Sequence, residues 1–381
     1  MMSVFFILLG VFAYIYLVFP VAMMLLAAGE RTRADEDFTP TVAVLIPAAN
    51  ERERIAGKLA NTLASRYPAD RLQVCVVADG CTDGTAEVVK AVQDPRVHLL
   101  SLPVGVGKTS AINQLIPTLT AEILVLSDAD VLISPTAVRN LVRHFADPRV
   151  GAVCGRRSSR AVDIPEVSRP ARLHYRYESA IKRGEGVLGR VLGGDGSLYA
   201  MRRSLYRPLP AHVPDDFVNV LRVLAEGRRV VYENEALSWE ELAPTSGSEF
   251  MRRRRTVARG VRGLWSVRGL LNPLRFPLVS FLLVSHKLLR WGGGFFLAGL
   301  LVSGALLASR PVFRELFLAQ CVLYAAALIG AQVPGAAGKP FRTARYFLLA
   351  NLAAAAGVID VLLGRDWTSW RVPRATSVSE P

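Results

Sequence analysis

The sequence predicts an α/β domain, built on a mixed and mostly parallel sheet and flanked by N-terminal and C-terminal transmembrane helices. Three observations predict it. Mean hydropathy over the 381 residues is +0.30, which a water-soluble enzyme of this size rarely reaches. The longest apolar runs lie at the two ends of the chain. The polar block between them alternates short β-branched runs with helical spacing, as strands joined by crossover helices do. With 51% hydrophobic residues and four cysteines, disorder and a disulfide scaffold are excluded. Cys75, Cys81, Cys154 and Cys321 lack C-x-x-C or other ligand spacing and read as buried small hydrophobes in a reduced compartment.

Taken in order, Val4–Ala28 is an uninterrupted apolar run of 25 residues, long enough to span a bilayer. MMSVFF contains no lysine or arginine, so the run reads as a retained anchor and not as a signal peptide. Arg31 and Arg33 follow it, and the positive-inside rule places the chain from residue 31 onward in the cytosol. Residues 1–30 are thus expected to be the anchor, 31–275 the cytosolic domain, and 276–381 a set of interfacial and transmembrane helices with a short tail.

Within the block, strands are expected at Thr41–Pro47, Leu72–Ala78, Val97–Leu102 and Glu122–Ser127. Helices are expected at Glu51–Arg66, where Ile55, Leu59 and Leu63 share a face, at Gly84–Val92, and through Ala111–Ile116. Beyond the block, NPLRFPLVSFLLVSHKLLRW lies in the interface or forms part of a span. Trp291–Ser309, Leu316–Val333 and Tyr346–Gly364 are each near spanning length, and Asp360 near the end of the last reads as an interfacial carboxylate.

In sheets of this kind ligands bind beyond the carboxyl ends of the strands, and polar residues collect there. Asn50 and Glu51 follow the first strand, Asp79 and Gly80 the second, and Asp128-Ala129-Asp130 the fourth. Asp128 and Asp130 have the spacing to face one hard cation, Mg²⁺ or Mn²⁺; a plain turn before a helix is the alternative. In ADGCTDGT, Asp79 is placed to meet a nucleobase edge, while Asp83 suits a helix cap. GVGKTS resembles a phosphate loop, but Leu102 stands where a Walker motif needs glycine, and Lys108 remains as a point charge. Asp215 and Asp216 open a helical pattern, either as favourable N-terminal acids or as a general base over an acceptor hydroxyl. Six arginines lie between Arg252 and Arg262, ordinarily a solvated or lipid-facing surface, and otherwise forks for a diphosphate. Nucleic acid is not an expected partner, because no recognition module accompanies them.

In order and spacing these pieces resemble a membrane-bound family 2 glycosyltransferase related to processive polysaccharide synthases, over roughly residues 40–275 and the flanking helices. P-A-A-N-E, V-V-A-D-G-C-T-D-G-T, G-K-T-S-A-I-N, D-A-D, G-G-D-G-S-L-Y-A-M-R-R, D-D-F and R-R-R-R-T carry the resemblance as an ordered series. Ala78 replaces the first acid of the family's D-D-G-S; Arg252 and Thr256 replace the glutamine and tryptophan of Q-x-x-R-W, and Arg255 is retained. The resemblance implies a GT-A fold and a metal-dependent, inverting hexosyltransferase-like reaction from a nucleotide-diphosphate sugar, a UDP-sugar above all, to a glycan or lipid-linked acceptor. It implies that Asn50, Glu51, Asp79, Lys108, Asp128, Gly194, Asp195 and Arg252 bind substrate. Asp130 and Asp128 would hold the metal, Asp216 would act as base, and Asp215 and Arg255 would assist. A polyprenyl-phosphate glycosyl transferase, a membrane scaffold and an NTPase are the alternatives. Membrane lipids and partner subunits are further expected partners, and a bacterial-type plasma or inner membrane is the expected location.

The net charge of +14 has a place in this reading. Residues 1–249 hold 28 basic and 28 acidic residues, whereas 250–381 hold 18 and 4. The whole excess lies from the arginine run onward, beside the apolar helices, where anionic head groups attract it.

Overall fold

Every residue of β1 (Val42–Ala48) is buried, because a continuous apolar run is stable as a strand only with both faces covered. In the computed structural model β1 is flanked in parallel by β2 (Leu72–Asp79) and β4 (Ile123–Leu126), and β3 (Val97–Leu102) adds a further parallel strand beyond β2. Past β4 the sheet becomes mixed. β7 (Tyr199–Arg202) is antiparallel to both β4 and β6 (Val150–Ser159). β8 (Arg229–Glu240) runs parallel to β6 and pairs antiparallel with the short β5 (Val131–Ile133). The order is β3-β2-β1-β4-β7-β6-β8-β5, so the mixed and mostly parallel sheet is as the sequence predicts. The structure describes residues 1–29, 35, 37–159, 165–194, 196–240, 245–329, 338–365 and 367. Arg31, Arg33 and Asp195 lie outside them.

The helices, in chain order, are α1 (Met2–Ala27), α2 (Arg52–Leu63), α3 (Thr85–Lys90), α4 (Lys108–Leu115), α5 (Ala137–Val142) and α6 (Pro165–Val187). After them come α7 (Asp215–Ala225), α8 (Ser246–Ser266), α9 (Pro277–Trp291), α10 (Gly293–Leu306), α11 (Pro311–Ile329) and α12 (Lys339–Leu362). Alternate residues of β1 feed two cores on opposite faces of the sheet. Val44 and Ile46 pack with Ile55 and Leu59 of α2 and with Leu141 of α5; Leu45 packs with Ile112 of α4 and Leu221 of α7. Phe19 and Met23 of α1 belong to this second cluster, so the N-terminal apolar helix shares the core of the sheet.

Three helices, Met2–Ala27, Pro311–Ile329 and Pro340–Leu362, are long and apolar enough to cross a membrane. The expected span Trp291–Ser309 is not one straight helix. The chain breaks at Gly292, and α9 and α10 meet at 60°, so NPLRFPLVSFLLVSHKLLRW becomes one arm of a bent pair. Inside α1 and α9, Tyr14–Val18 and Leu283–Leu288 widen to π-helical turns, and the two turns touch through Tyr14 Oη and Ser285 Oγ at 2.7 Å. Of the cysteines, Cys75 and Cys154 are buried as expected and burial pushes the Cys75 thiol up to about 12, but Cys81 and Cys321 are only partly covered.

Candidate active site

The direction of travel through the sheet reverses at β1, which has β2 on one side and β4 on the other. The crevice at their carboxyl ends is therefore a topological switch point, where such sheets leave room for a ligand. A cavity of about 450 Å³ opens there, and Glu51, Lys108, Asp128, Asp130, Gly194, Asp215, Asp216, Arg252 and Arg255 all line it.

The acidic pair follows β4 in a turn held from beneath by a lysine that the sequence did not single out. Lys58 of α2 is 1% exposed, and its ammonium donates to Ser127 Oγ and to the Val131 carbonyl, each at 2.7 Å. Burial draws its pKa down to about 7, against the pull of Asp128 and Asp130. Asn61 on the same helix fixes the following strand through two bonds with Ile133. From the other side, Lys108 in the first turn of α4 reaches Asp128 Oδ1 at 2.7 Å and Asp215 Oδ1 at 3.3 Å. Burial disfavours its charge, yet Asp128, Asp215 and Asp216 outweigh that and hold the ammonium charged well above its usual range. Asp130 faces the cavity with no hydrogen bond or ion pair among the described residues.

Asp215 and Asp216 are adjacent but differ in setting. Asp215 is 2% exposed and accepts from Tyr199 Oη at 3.2 Å, while that oxygen accepts from Asn219. Asp216 is less deeply covered, and its carbonyl accepts from the Gly194 amide at 2.9 Å. Gly196 marks where the site converges. A Cβ there would lie 3.2 Å from Asp128 Oδ2, 3.5 Å from Asp216 Oδ2 and 3.6 Å from Lys108 Nζ.

Asn50 and Asp79 do not line the cavity; they shape its rim. Asn50, at φ 57°, accepts from the Thr82 amide. Asp79 Oδ1 and Oδ2 accept from the amides of Val106 and Gly107 at 2.7 and 2.8 Å. Two of the N–H groups a phosphate cradle would need are thereby engaged. Gly80 is required beside them, since its φ is +60° and a Cβ would fall 2.2 Å from the Gly105 nitrogen. Asp83 accepts from the Thr85 and Arg52 amides and so serves the starts of α3 and α2, in line with the capping reading.

The arginine run is not a solvated or lipid-facing surface. Turning 100° per residue, α8 sends successive guanidiniums to different partners. Arg252 and Arg253 pair with Glu249, and Arg254 meets Asp360 of α12 through two bonds of 2.6 Å. Asp360 is fully buried against its partners. Arg255 enters the cavity with no hydrogen bond or ion pair among the described residues, and burial followed by Arg259 and Arg252 lowers its pKa. Arg252, Arg255 and Arg259 share one helical face and the same cavity. Where the related motif has tryptophan, Thr256 lines the cavity beside Trp291 of α9, while Trp265 is 68% exposed. Trp291 and Lys287 were missed because they fall inside an apolar run; the one signal was W-G-G-G, a break in it.

A mixed α/β sheet with paired carboxylates at its switch point defines a GT-A-like domain. Residues 43–208 match the family model Glycosyl transferase family 2. It is 25% identical over 252 residues to a poly-beta-1,6-N-acetyl-D-glucosamine synthase of Staphylococcus aureus (strain COL), covering 62% of this chain and 59% of that one. It is 26% identical over 236 residues to an N-acetylglucosaminyltransferase of Mesorhizobium japonicum, covering 58% and 55%. The match thus spans less than two thirds of these relatives. The structure of the mannosyltransferase PcManGT from Pyrobaculum calidifontis, in complex with GDP-Man and Mn²⁺, aligns with a TM-score of 0.74 at 23% identity. That alignment covers 95% of this chain and 100% of that one and shows a shared fold.

Proposed function

We propose that the protein is an inverting glycosyltransferase of a bacterial-type plasma or inner membrane, with residues 31–275 as its cytosolic catalytic domain. It moves a sugar from a nucleotide-diphosphate donor, a UDP-sugar above all, to a hydroxyl of a glycan or lipid-linked acceptor. The observation that supports this best is the meeting of Asp128, Asp216 and Lys108 around Gly196 at the switch point of the sheet.

In this reading the acceptor oxygen attacks the anomeric carbon as the bond from that carbon to the diphosphate breaks. Asp216 takes the acceptor proton, and the nucleoside diphosphate leaves. Asp215, tied to Lys108 and Tyr199, is a positioning residue that fixes the start of α7. Arg255 faces the site with its charge uncompensated and meets the charge that develops on the leaving group. Glu51, Asn50 and Asp79 shape the nucleotide's end, with Gly194, Asp195 and Arg252 toward the acceptor.

The residues fit a hard divalent cation, Mg²⁺ or Mn²⁺. Asp130 and Asp128 present carboxylate oxygens, and among the described residues no group of three His, Cys, Asp or Glu side chains completes a site without a ligand's own oxygens. When bound, the ion neutralises the diphosphate, and Asp130 with Asp128 would hold it.

The test is product formation by purified protein from a panel of labelled nucleotide sugars, with and without Mn²⁺. Asp216→Asn is expected to lower turnover by roughly 10²–10⁴ while nucleotide-dependent thermal stabilisation persists. Near wild-type turnover in this variant would remove Asp216 from the base role. Stabilisation by ATP in preference to UDP and GDP would remove the donor class.

A further inference from the structure

Beside the catalytic cavity lies a second one, of about 640 Å³. Arg157, Glu178, Arg252, Thr256, Lys287 and Trp291 line both, so the two share a wall. The remaining walls of the chamber come largely from α1, α6, α9 and α12. Two of these helices are long and apolar enough to cross a membrane, and a third is an arm of the bent pair. Tyr16 and Lys287, one from each π-helical turn, both face the chamber, and widened turns of this kind occur frequently at functional sites.

The chemistry of the walls narrows the occupant. Tyr177 and Tyr346 line it with Arg290 and Arg253 stacked over their rings, while Phe347, Ala350 and Ala354 supply an apolar side along α12. Most of the cations present are already paired: Arg252 and Arg253 with Glu249, and Arg290 with Glu178. Lys287 is the exception. It is half-buried on the wall between the cavities, and its ammonium has no hydrogen bond or ion pair among the described residues. Glu178 and Glu185 attract it from beyond ion-pair distance, but Arg290 and His286 already engage those carboxylates, so this covered ammonium gains from an anion that meets it directly. A neutral glycan would bring that charge no direct counter-ion, whereas a lipid with a phosphate in its head satisfies both the cation and the apolar wall.

We propose that this chamber is the acceptor site, and that it holds the phosphate-bearing head of a membrane lipid with Lys287 as counter-ion. The acceptor hydroxyl then enters the catalytic cavity past Trp291 and Thr256. This rests on the glycosyltransferase reading above and names its acceptor class.

The test uses the full chain in detergent and native mass spectrometry with dioleoyl phosphatidate, dioleoyl phosphatidylcholine, inorganic phosphate and a neutral oligosaccharide. Phosphatidate is expected to be retained roughly tenfold better than phosphatidylcholine, and Lys287→Met to erase that preference. Ala350→Phe, on the chamber wall only, is expected to lower phosphatidate retention while nucleotide-dependent stabilisation with Mn²⁺ is unchanged, which shows that it folds. Equal retention of the two lipids, or an unaltered preference in Lys287→Met, overturns the assignment. So does displacement of phosphatidate by inorganic phosphate at matched concentration, or by the oligosaccharide. Wild-type protein that no nucleotide stabilises would instead count against the transferase reading, and the lipid result distinguishes the two failures.

Discussion

Asp79 spends both carboxylate oxygens on the Val106 and Gly107 amides, and through them it sets where α4 begins and where Lys108 can reach. Asp79→Asn replaces one acceptor with a donor that cannot serve a backbone N–H. It is expected to cost about 1–3 kcal/mol of stability and to weaken nucleotide binding, read by thermal unfolding with and without UDP. The strand-tip carboxylate was legible in the sequence; its use on a loop 27 residues away was not, because nothing local specifies that contact. The same limit applies to Asp215 and Asp216. Neighbours on a helix point 100° apart, and which one faces the core depends on Tyr199 across the sheet. Lys58 was hidden for a related reason. It stands among the apolar positions Ile55 and Leu59, where a lysine ordinarily extends to water, and only the Ser127–Val131 turn gives its ammonium a buried partner.

Helix α8 distributes its charges, and its packing can be tested at two contacts. Toward α12, a Cβ on Gly357 would stand 2.5 Å from the Arg254 carbonyl, so the two backbones touch where the Arg254–Asp360 pair forms. Asp360→Asn leaves Arg254 without its counter-charge and is expected to cost roughly 3 kcal/mol, seen as a lowered midpoint of thermal unfolding. Near its own start, Glu249 is pushed up by burial, but Arg252 and Arg253 outweigh this and hold it at about 2, below the ordinary 4.5. A carboxyl so lowered contributes stability above its unfolded value, and that contribution is lost as pH falls from about 4.5 toward 2. Wild-type protein is therefore expected to lose thermal stability across that window more steeply than Glu249→Gln does. The arginine run was legible from composition, but the helix that carries it was not singled out. The partners were not: Asp360 is 106 residues from Arg254, and the run of like charges gave no sign of an acid waiting elsewhere.

At the scale of the molecule, the sheet shares one of its cores with α1 and α9. Phe19 is 2% exposed among residues of β1, β2 and α7, and a Cβ on Gly184 of α6 would lie 2.2 Å from the Met23 carbonyl of α1. Phe19→Ala is expected to cost about 3–5 kcal/mol, checked by thermal unfolding, although the residue belongs to a helix that reads as a membrane anchor. The alternation of strands and helices and the order of the acidic motifs were both legible, because each rests on short-range pattern. The bend at Gly292 and the burial of α1 against α6 were not, since apolar runs carry no address for their partners.

The pairing of the two π-helical turns has a consequence in time. Tyr14 and Tyr16 are synthesised long before their partners Ser285 and Asn351, which lie 271 and 335 residues further along the chain. At ordinary synthesis rates the wait for Asn351 is on the order of half a minute. During that interval the strands of the sheet can pair, while the Tyr14 and Tyr16 hydroxyls of α1 lack these two partners. Completion of the second chamber then waits for α12, which supplies Tyr346, Phe347 and Asn351 to its wall.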